Sequence, residues 1–336
     1  TTSTPSSHFV RFPCLAQKSK ISPRKEFPKK SIFQSMPARL GQHFLTSRRA
    51  LARIIDAAEL TGADTVLEVG PGTGFLTETL LAYAGRVIAV EKDARLVSRL
   101  AERFAAEITS GHLTLVHADI RSFDPSCYKL KANSYKLVAN IPYYLTGDLL
   151  RQSLTSNAQP SRIVLMLQRE VAERIVARDG KESILSISVK AYGTPRIVAR
   201  VPRGAFSPPP KVDSAILVVE NISRRFFEEL AEGMSINVKH PMSNKSYVVR
   251  HRMFNNACVA ESRFFTLVRA GFAHKRKLLA GNLKPLIPDA REALEALHIN
   301  PRARAENLTL ADWRALAERA LNTECFNSAE HFRRWA

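Results

Sequence analysis

Three glycines at alternate positions, Gly70, Gly72 and Gly74, stand in the run EVGPGTG directly after an apolar stretch, TVLEV. Glycine lets a backbone turn sharply and approach a ligand closely. About 20 residues further on, RVIAVE ends on Glu91, where an acid can accept hydrogen bonds from ribose hydroxyls. LTLVHAD ends on Asp119, whose carboxylate or neighbouring backbone could read an adenine ring. YKLVAN ends on Asn140 and runs into Ile141, Pro142 and Tyr143. A strand end needs only a turn residue, so Asn-Ile-Pro alone could be punctuation. Four successive strand ends carrying glycine, acid, acid and amide point further. In an open α/β sheet ligands bind beyond the carboxyl ends of the strands, so these residues converge on one crevice.

The ligand that fits carries adenosine and needs no phosphate cradle. A dinucleotide fingerprint would place its third glycine at position 75, which is Phe75, and no Lys-Ser/Thr pair follows as a P-loop requires. S-adenosylmethionine meets these conditions. Methyl transfer from a sulfonium is a displacement on carbon whose hard chemistry belongs to the cofactor. The protein must aim a nitrogen lone pair at the methyl group. The two hydrogens of an exocyclic amine can be accepted by the Asn140 side-chain oxygen and the Ile141 carbonyl. Pro142 stiffens that carbonyl, and Tyr143 can stack on the base. A strong general base is not needed, because the attacking amine is neutral and its proton becomes acidic only as the new bond forms.

The elements that must hold these residues alternate. A helical stretch, RRALARIIDAAEL, precedes the strand TVLEVG. After it come the helix FLTETLLAYA, the strand RVIAVE, the helix ARLVSRLAERFAAE and the strand LTLVHAD. The strand YKLVAN, a helix after Gly147, the strand RIVLMLQ and the helix REVAERIVA follow. Such alternation predicts an α/β fold with a doubly wound, mostly parallel sheet. Two later strands, PRIVARV and SAILVVE, flank the stiff segment FSPPPKVD. Beyond about residue 222 helical spacing takes over in SRFFTLVRAGF, HKRKLLAGNL, DAREALEAL and LADWRALAERAL. The expected organisation is a basic arm (1–37), a sheet domain (38–221), a linker or insertion without clear period (222–261), a small helical domain (262–322) and a tail (323–336).

Lys and Arg number 50 against 31 Asp and Glu, a formal charge of +19. A surface of that sign attracts a polyanion, nucleic acid above all. The arm carries Arg11, Lys18, Lys20, Arg24, Lys25, Lys29 and Lys30 against one acid, Glu26. It reads equally as a disordered RNA-binding tail, a transit peptide or an artefact of where the chain starts. Cys14, Cys127, Cys258 and Cys325 form no C-x-x-C pair, which argues against zinc and against a disulfide scaffold. No run approaches the roughly 20 apolar residues that cross a bilayer, so a soluble protein is expected.

The motifs LGQHFL (40–45), EVGPGTGFLTETLL (68–81), VEKD (90–93), AD (118–119), NIPYYLTGDLL (140–150), LMLQREVAERIVA (165–177), FSPPPKVDSAIL (206–217) and RAGFAHKRKLL (269–279) occur in that order. The chain thereby resembles the small-subunit ribosomal RNA adenine N6,N6-dimethyltransferases (KsgA type) from about residue 38 to 321, apart from the insertion. The resemblance implies a class I, Rossmann-like methyltransferase sheet domain with a small C-terminal helical domain, and S-adenosyl-L-methionine as cofactor. It implies two adjacent adenosines near the 3′ end of small-subunit rRNA, naked or in a pre-ribosomal particle, as substrate. Cofactor contacts then fall on His43, Leu45, Gly70, Glu91, Asp119 and Asn140. The reacting base falls to Asn140, Pro142, Tyr143 and Phe206. No metal or membrane is implied, a monomer is expected, and the compartment is cytoplasmic, or a mitochondrial or plastid matrix if the arm is a transit peptide. The rivals are a large-subunit rRNA methyltransferase, a mitochondrial transcription-factor-like relative and a dinucleotide oxidoreductase.

Overall fold

The structure, a computed structural model, describes residues 43–233 and 245–321. Along the chain run β1 (Phe44–Leu45), α1 (Arg48–Ala58), β2 (Thr65–Val69), α2 (Phe75–Tyr83), β3 (Arg86–Glu91), α3 (Ala94–Arg103), α4 (Ala105–Thr109) and β4 (Leu113–His117). Then come β5 (Lys136–Asn140), α5 (Thr146–Thr155), β6 (Arg162–Gln168), α6 (Arg169–Val176), α7 (Ile184–Lys190), β7 (Thr194–Val201), β8 (Phe206–Ser207) and β9 (Ser214–Glu220). Helices close the chain: α8 (Arg225–Gly233), α9 (Lys245–Gly271), α10 (Leu279–Leu283), α11 (Ala290–Ala296) and α12 (Leu310–Leu321). No helix of the described residues is long and apolar enough to cross a membrane.

Seven strands form one sheet in the order β4-β3-β2-β5-β6-β9-β7. β4 through β6 pair in parallel, whereas β9 runs antiparallel to both β6 and β7. A dinucleotide-binding sheet would continue in parallel past β6. The reversed β9–β7 edge departs from that pattern. The alternation expected from sequence is present, because strands buried on both faces need nearly unbroken apolar runs. Val66, Val138, Val164 and Met166 face α1 and α2, with Leu51, Ile54 and Leu80. Leu67, Leu137, Ala139, Ile163 and Leu165 face the other way, onto α5, α6 and α7. That second core continues without a break into Phe227, Phe264, Leu267 and Trp313 of the helical part.

The segment expected to be a linker without period is largely helical. α8 covers Arg225–Gly233 and α9 begins at Lys245, while residues 234–244 lie outside the described structure. In α9, Ala257, Ala260, Phe264, Leu267 and Val268 are buried at helical spacing. The His- and Asn-rich stretch before Ala257 hid the start of this helix, whereas SRFFTLVRAGF already showed its later turns. The α8–α9 contact is largely aromatic: Phe264 of α9 meets Phe226 and Phe227 of α8 edge-on, at centroid distances of 5.1 and 5.9 Å. Conversely, HKRKLLAGNL is helical only from Leu279, and His274 to Lys277 stand exposed in a loop. The N-terminal arm and the tail lie outside the described residues.

Candidate active site

The strand order reverses between β2 and β5, because the chain passes from β2 outward to β4 and then returns to β5 on the other side. A crevice at such a switch point is where an α/β sheet binds its ligand. Here it is an open cleft, lined by His43 to Leu45, Gly70 to Thr73, Phe75, Leu76, Glu91, Leu96, Asn140 to Tyr143 and Phe206.

The floor of the cleft is the glycine turn. Gly70, Gly72 and Gly74 have φ of 69°, 60° and 81°, a region that side chains with a Cβ rarely adopt. A Cβ on Gly74 would lie 2.6 Å from the Phe104 ring, and one on Gly72 would lie 3.2 Å from Phe44. At Gly70 the nearest atom to an added Cβ is the Asn140 carbonyl, 4.0 Å away across the gap between the two strand ends. The open space over Gly70 is thus a cradle that any side chain would fill.

Glu91 is buried at the end of β3. Its Oε1 accepts from the Lys92 and Asp93 amides at 2.8 and 2.9 Å, and its Oε2 accepts from Gly72 N at 3.2 Å. Oε1 is fully used by the Lys92 and Asp93 amides, whereas Oε2 keeps a lone pair for a ligand hydroxyl. The acid therefore clamps the glycine turn as well as facing the cleft, a double role that its place at a strand end does not reveal. Glu91→Ala is expected to weaken S-adenosylmethionine binding by about 1.5–3 kcal/mol, the range for a hydrogen bond to a charged group. It should also lower the melting temperature, since three backbone donors lose their acceptor. Calorimetric titration and a thermal melt check both; unchanged cofactor affinity in the folded variant would remove Glu91 from the binding site.

The far wall is the Asn140 corner. Asn140 pairs with Met166 through the sheet, and its side-chain amide has no hydrogen-bond partner among the described residues. The Pro142 carbonyl accepts from Leu145 N at 3.0 Å, which leaves Ile141 to supply any backbone acceptor at the cleft. Tyr143 and the buried Ser214 share a hydrogen bond of 2.9 Å, and burial pushes the Tyr143 phenol above its ordinary pKa. The Tyr143 ring stacks with His43 at 6.3 Å and 29°. Phe206 is buried in the cleft wall, where β8 pairs antiparallel with β1 and sets it opposite Leu45. His43 Nδ1 donates to the Pro208 carbonyl at 2.9 Å and ties the same two segments together. His43 to Leu45 and the FSPPP motif thus build one wall across a separation of 165 residues.

Beneath the turn lies Glu68, 1% exposed, on the α2 side of β2. Burial pushes its carboxyl up to about 8, the neighbouring Glu91 charge adds to the shift, and the Thr77 hydroxyl partly offsets it. No contact of either Glu68 oxygen or of Thr77 Oγ1 meets hydrogen-bond geometry. At neutral pH the group is mostly the uncharged acid.

Of the expected site residues, His43, Leu45, Gly70, Glu91, Asn140, Pro142, Tyr143 and Phe206 come together in the cleft. Asp119 does not line it. It sits two residues beyond β4 and caps the turn that follows. Its carboxylate binds Lys92 Nζ at 2.8 Å and Arg121 Nη2 at 2.7 Å, cations that hold it well below the usual carboxylate range. Sequence reasoning missed Phe44, Leu96, Ser214 and Glu68. Ser214 opens a strand after a proline run and carries no local signal of its bond to Tyr143.

The family described as ribosomal RNA adenine dimethylase matches residues 34–234 of this chain. The ribosomal RNA small subunit methyltransferase A of Dehalococcoides mccartyi is 40% identical over 281 residues, which cover 82% of this chain and 86% of that protein. Its counterpart from the cyanobacterium Rippkaea orientalis is 36% identical over 288 residues, covering 82% and 94%. Among solved structures, a dimethyladenosine transferase from Plasmodium falciparum is similar with a TM-score of 0.62 and 27% identity, over 82% of this chain and 96% of that one. The 23S rRNA methyltransferase ErmE is similar with a TM-score of 0.60 and 25% identity, over 82% and 98%.

Proposed function

Because this chain belongs to the ribosomal RNA adenine dimethylase family, we propose that its cleft carries methyl groups from S-adenosylmethionine to N6 of two adjacent adenosines near the 3′ end of small-subunit rRNA. The product is N6,N6-dimethyladenosine. The observation that carries this reading is Asn140: an amide without a partner among the described residues, set on the cleft wall opposite the glycine turn and Glu91. His43, Leu45, Gly70 and Glu91 would hold the cofactor, which supplies an electrophilic methyl group. Asp119, tied to Lys92 beside Glu91, would act through the neighbouring backbone more than through its carboxylate. Asn140 Oδ1 and the Ile141 carbonyl accept the two amine hydrogens and so fix the nitrogen lone pair. Tyr143 and Phe206 flank the base, and Ser214 and His43 fix Tyr143.

ErmE shares the fold, so fold alone does not choose between the ribosomal subunits. The sequence relatives, named for the small subunit, favour that substrate. The test is incubation with undermethylated small subunits and methyl-labelled cofactor, then digestion to nucleosides. Label in N6,N6-dimethyladenosine supports the reading; label incorporated only when large-subunit RNA is offered transfers the enzyme to the other class.

RNA is held through phosphates in this account. Arg169 and Arg203, whose backbone amides bond Asp213 beside Ser214, Lys211 two residues before Asp213, and Lys275, Arg276 and Lys277 in the exposed loop form no ion pair among the described residues. With roughly 0.7 counterions released per phosphate on a single strand, six such contacts give a slope of log K against log salt of about −4. Filter binding across salt concentrations checks this, and a slope near zero would remove nucleic acid as the partner. Deletion of residues 1–37 flattens the slope if the arm binds phosphates and leaves it unchanged if the arm is a targeting segment.

A further inference from the structure

Three residues that follow Pro142 form a single 3₁₀ turn, Tyr143–Leu145. Such a turn has three residues per revolution, so consecutive side chains point about 120° apart. Tyr143 points into the cleft and Leu145 packs on the core. Tyr144 takes the third direction, into solvent, and is 73% exposed, the most of any large hydrophobic side chain described. Val212, 44% exposed, stands two residues before Ser214, to which Tyr143 is bonded. Two of the four exposed large hydrophobics in the described chain thus stand within two residues of the Tyr143–Ser214 bond at the cleft wall. The Arg121 guanidinium, half exposed, lies near enough to Tyr144 to feel its phenol, and Asp148 acts on the same arginine. Arg169, Arg203 and Lys211 add positive charge on the side of the FSPPPKVD segment.

We propose that Tyr144 is a stacking platform for the nucleotide next to the target adenosine, with the surrounding cations taking the adjoining phosphates. The inference rests on the methylation of RNA proposed above and deepens it. Chemistry on a base requires that the base leave its stack, and this exposes a face of its neighbour. A neighbour left bare would favour return of the target to the stack. An aromatic face one residue from the ring that receives the target can cover that neighbour. Recognition of this kind is indifferent to which base is stacked, since every base has a π-face. It suits a substrate in which either of two adjacent nucleotides must in turn be the target and the neighbour. Val212 then borders the same strand from the opposite segment.

The test uses the full chain and a short single-stranded RNA with two adjacent adenosines, one replaced by 2-aminopurine, whose fluorescence is quenched by stacking. Tyr144→Ala should lose the quenching on binding and weaken RNA affinity roughly tenfold or more, the worth of one base–aromatic stack. Tyr144→Phe, which keeps the ring, should behave as wild type. Cofactor affinity and melting temperature should stay unchanged in both, because the side chain stands in solvent. Quenching and affinity unchanged in Tyr144→Ala overturn the proposal. So does a defect seen only with assembled small subunits and not with naked RNA, which would give Tyr144 to a ribosomal protein. Tyr144-dependent quenching without any methyl transfer by the wild type would uphold the stacking surface and defeat the methylation reading instead.

Discussion

Asn140→Ala is expected to slow methyl transfer about a hundredfold in single turnover at saturating cofactor and RNA, while the protein stays folded. The alanine keeps the backbone pairing with Met166, so the sheet end survives. It removes one of the two acceptors that stop the amine from rotating, and a nitrogen no longer aimed at the methyl reacts only when it drifts into line. The loss should fall on the chemical step more than on RNA affinity, as for an interaction strongest in the transition state. Tyr143 calls for more care than its position in the motif implies. Removing its ring costs stacking, about 1–3 kcal/mol. Tyr143→Phe, conservative by sequence, also strips the hydroxyl partner from buried Ser214, and an orphaned buried hydroxyl costs about 1–3 kcal/mol. Wild-type rates in Asn140→Ala would return this stretch to the status of a strand-end turn.

The second large effect concerns stability and pH. Glu68 has its carboxyl raised from 4.5 to about 8 by burial. The folded protein therefore holds a proton that the unfolded chain releases near pH 4.5. The resulting stabilisation is fully present below that value and is lost as pH rises through about 8. At about 1.4 kcal/mol per pH unit, the change across this window is on the order of a few kcal/mol. Glu68→Gln keeps the shape and removes the titration. Its unfolding free energy should depend less on pH between 5 and 9, and above pH 8 it should exceed that of the wild type. Urea melts across this range check the effect, and parallel pH profiles for the two proteins would place the proton elsewhere.

The residues that the strand pattern alone marked for the cleft, as distinct from those the resemblance supplied, share one property: each was expected at a strand's end. Gly70, Glu91 and Asn140 were legible because an apolar run followed by a ligand-competent residue marks a strand's carboxyl end, and parallel strands bring those ends together. Asp119 carried the same signal but lies two residues past its strand, where Lys92 and Arg121 capture its carboxylate. Whether a strand-end acid faces a ligand or a cation depends on neighbours that arrive from other parts of the chain. Glu68 and Ser214 were illegible for the same reason. One is an acid inside a strand, the other a serine at a strand's start, and only burial and a partner across the fold give them meaning. The pairing of Phe44 and Leu45 with Phe206 and Ser207 is long-range, although both segments stood out as motifs. Only the part of α9 before Ser262 was missed, because its polar composition shows no clear period; SRFFTLVRAGF already read as helical, and it packs against α8.

The most direct measurement is primer extension on RNA from undermethylated small subunits treated with this protein and S-adenosylmethionine, since two methyl groups on N6 block base pairing. The account expects new arrests at two adjacent adenosines near the 3′ end of the small-subunit RNA, absent without cofactor and strongly reduced with Asn140→Ala. Full-length extension through that pair after treatment with the wild-type protein, or arrest only in large-subunit RNA, would contradict it.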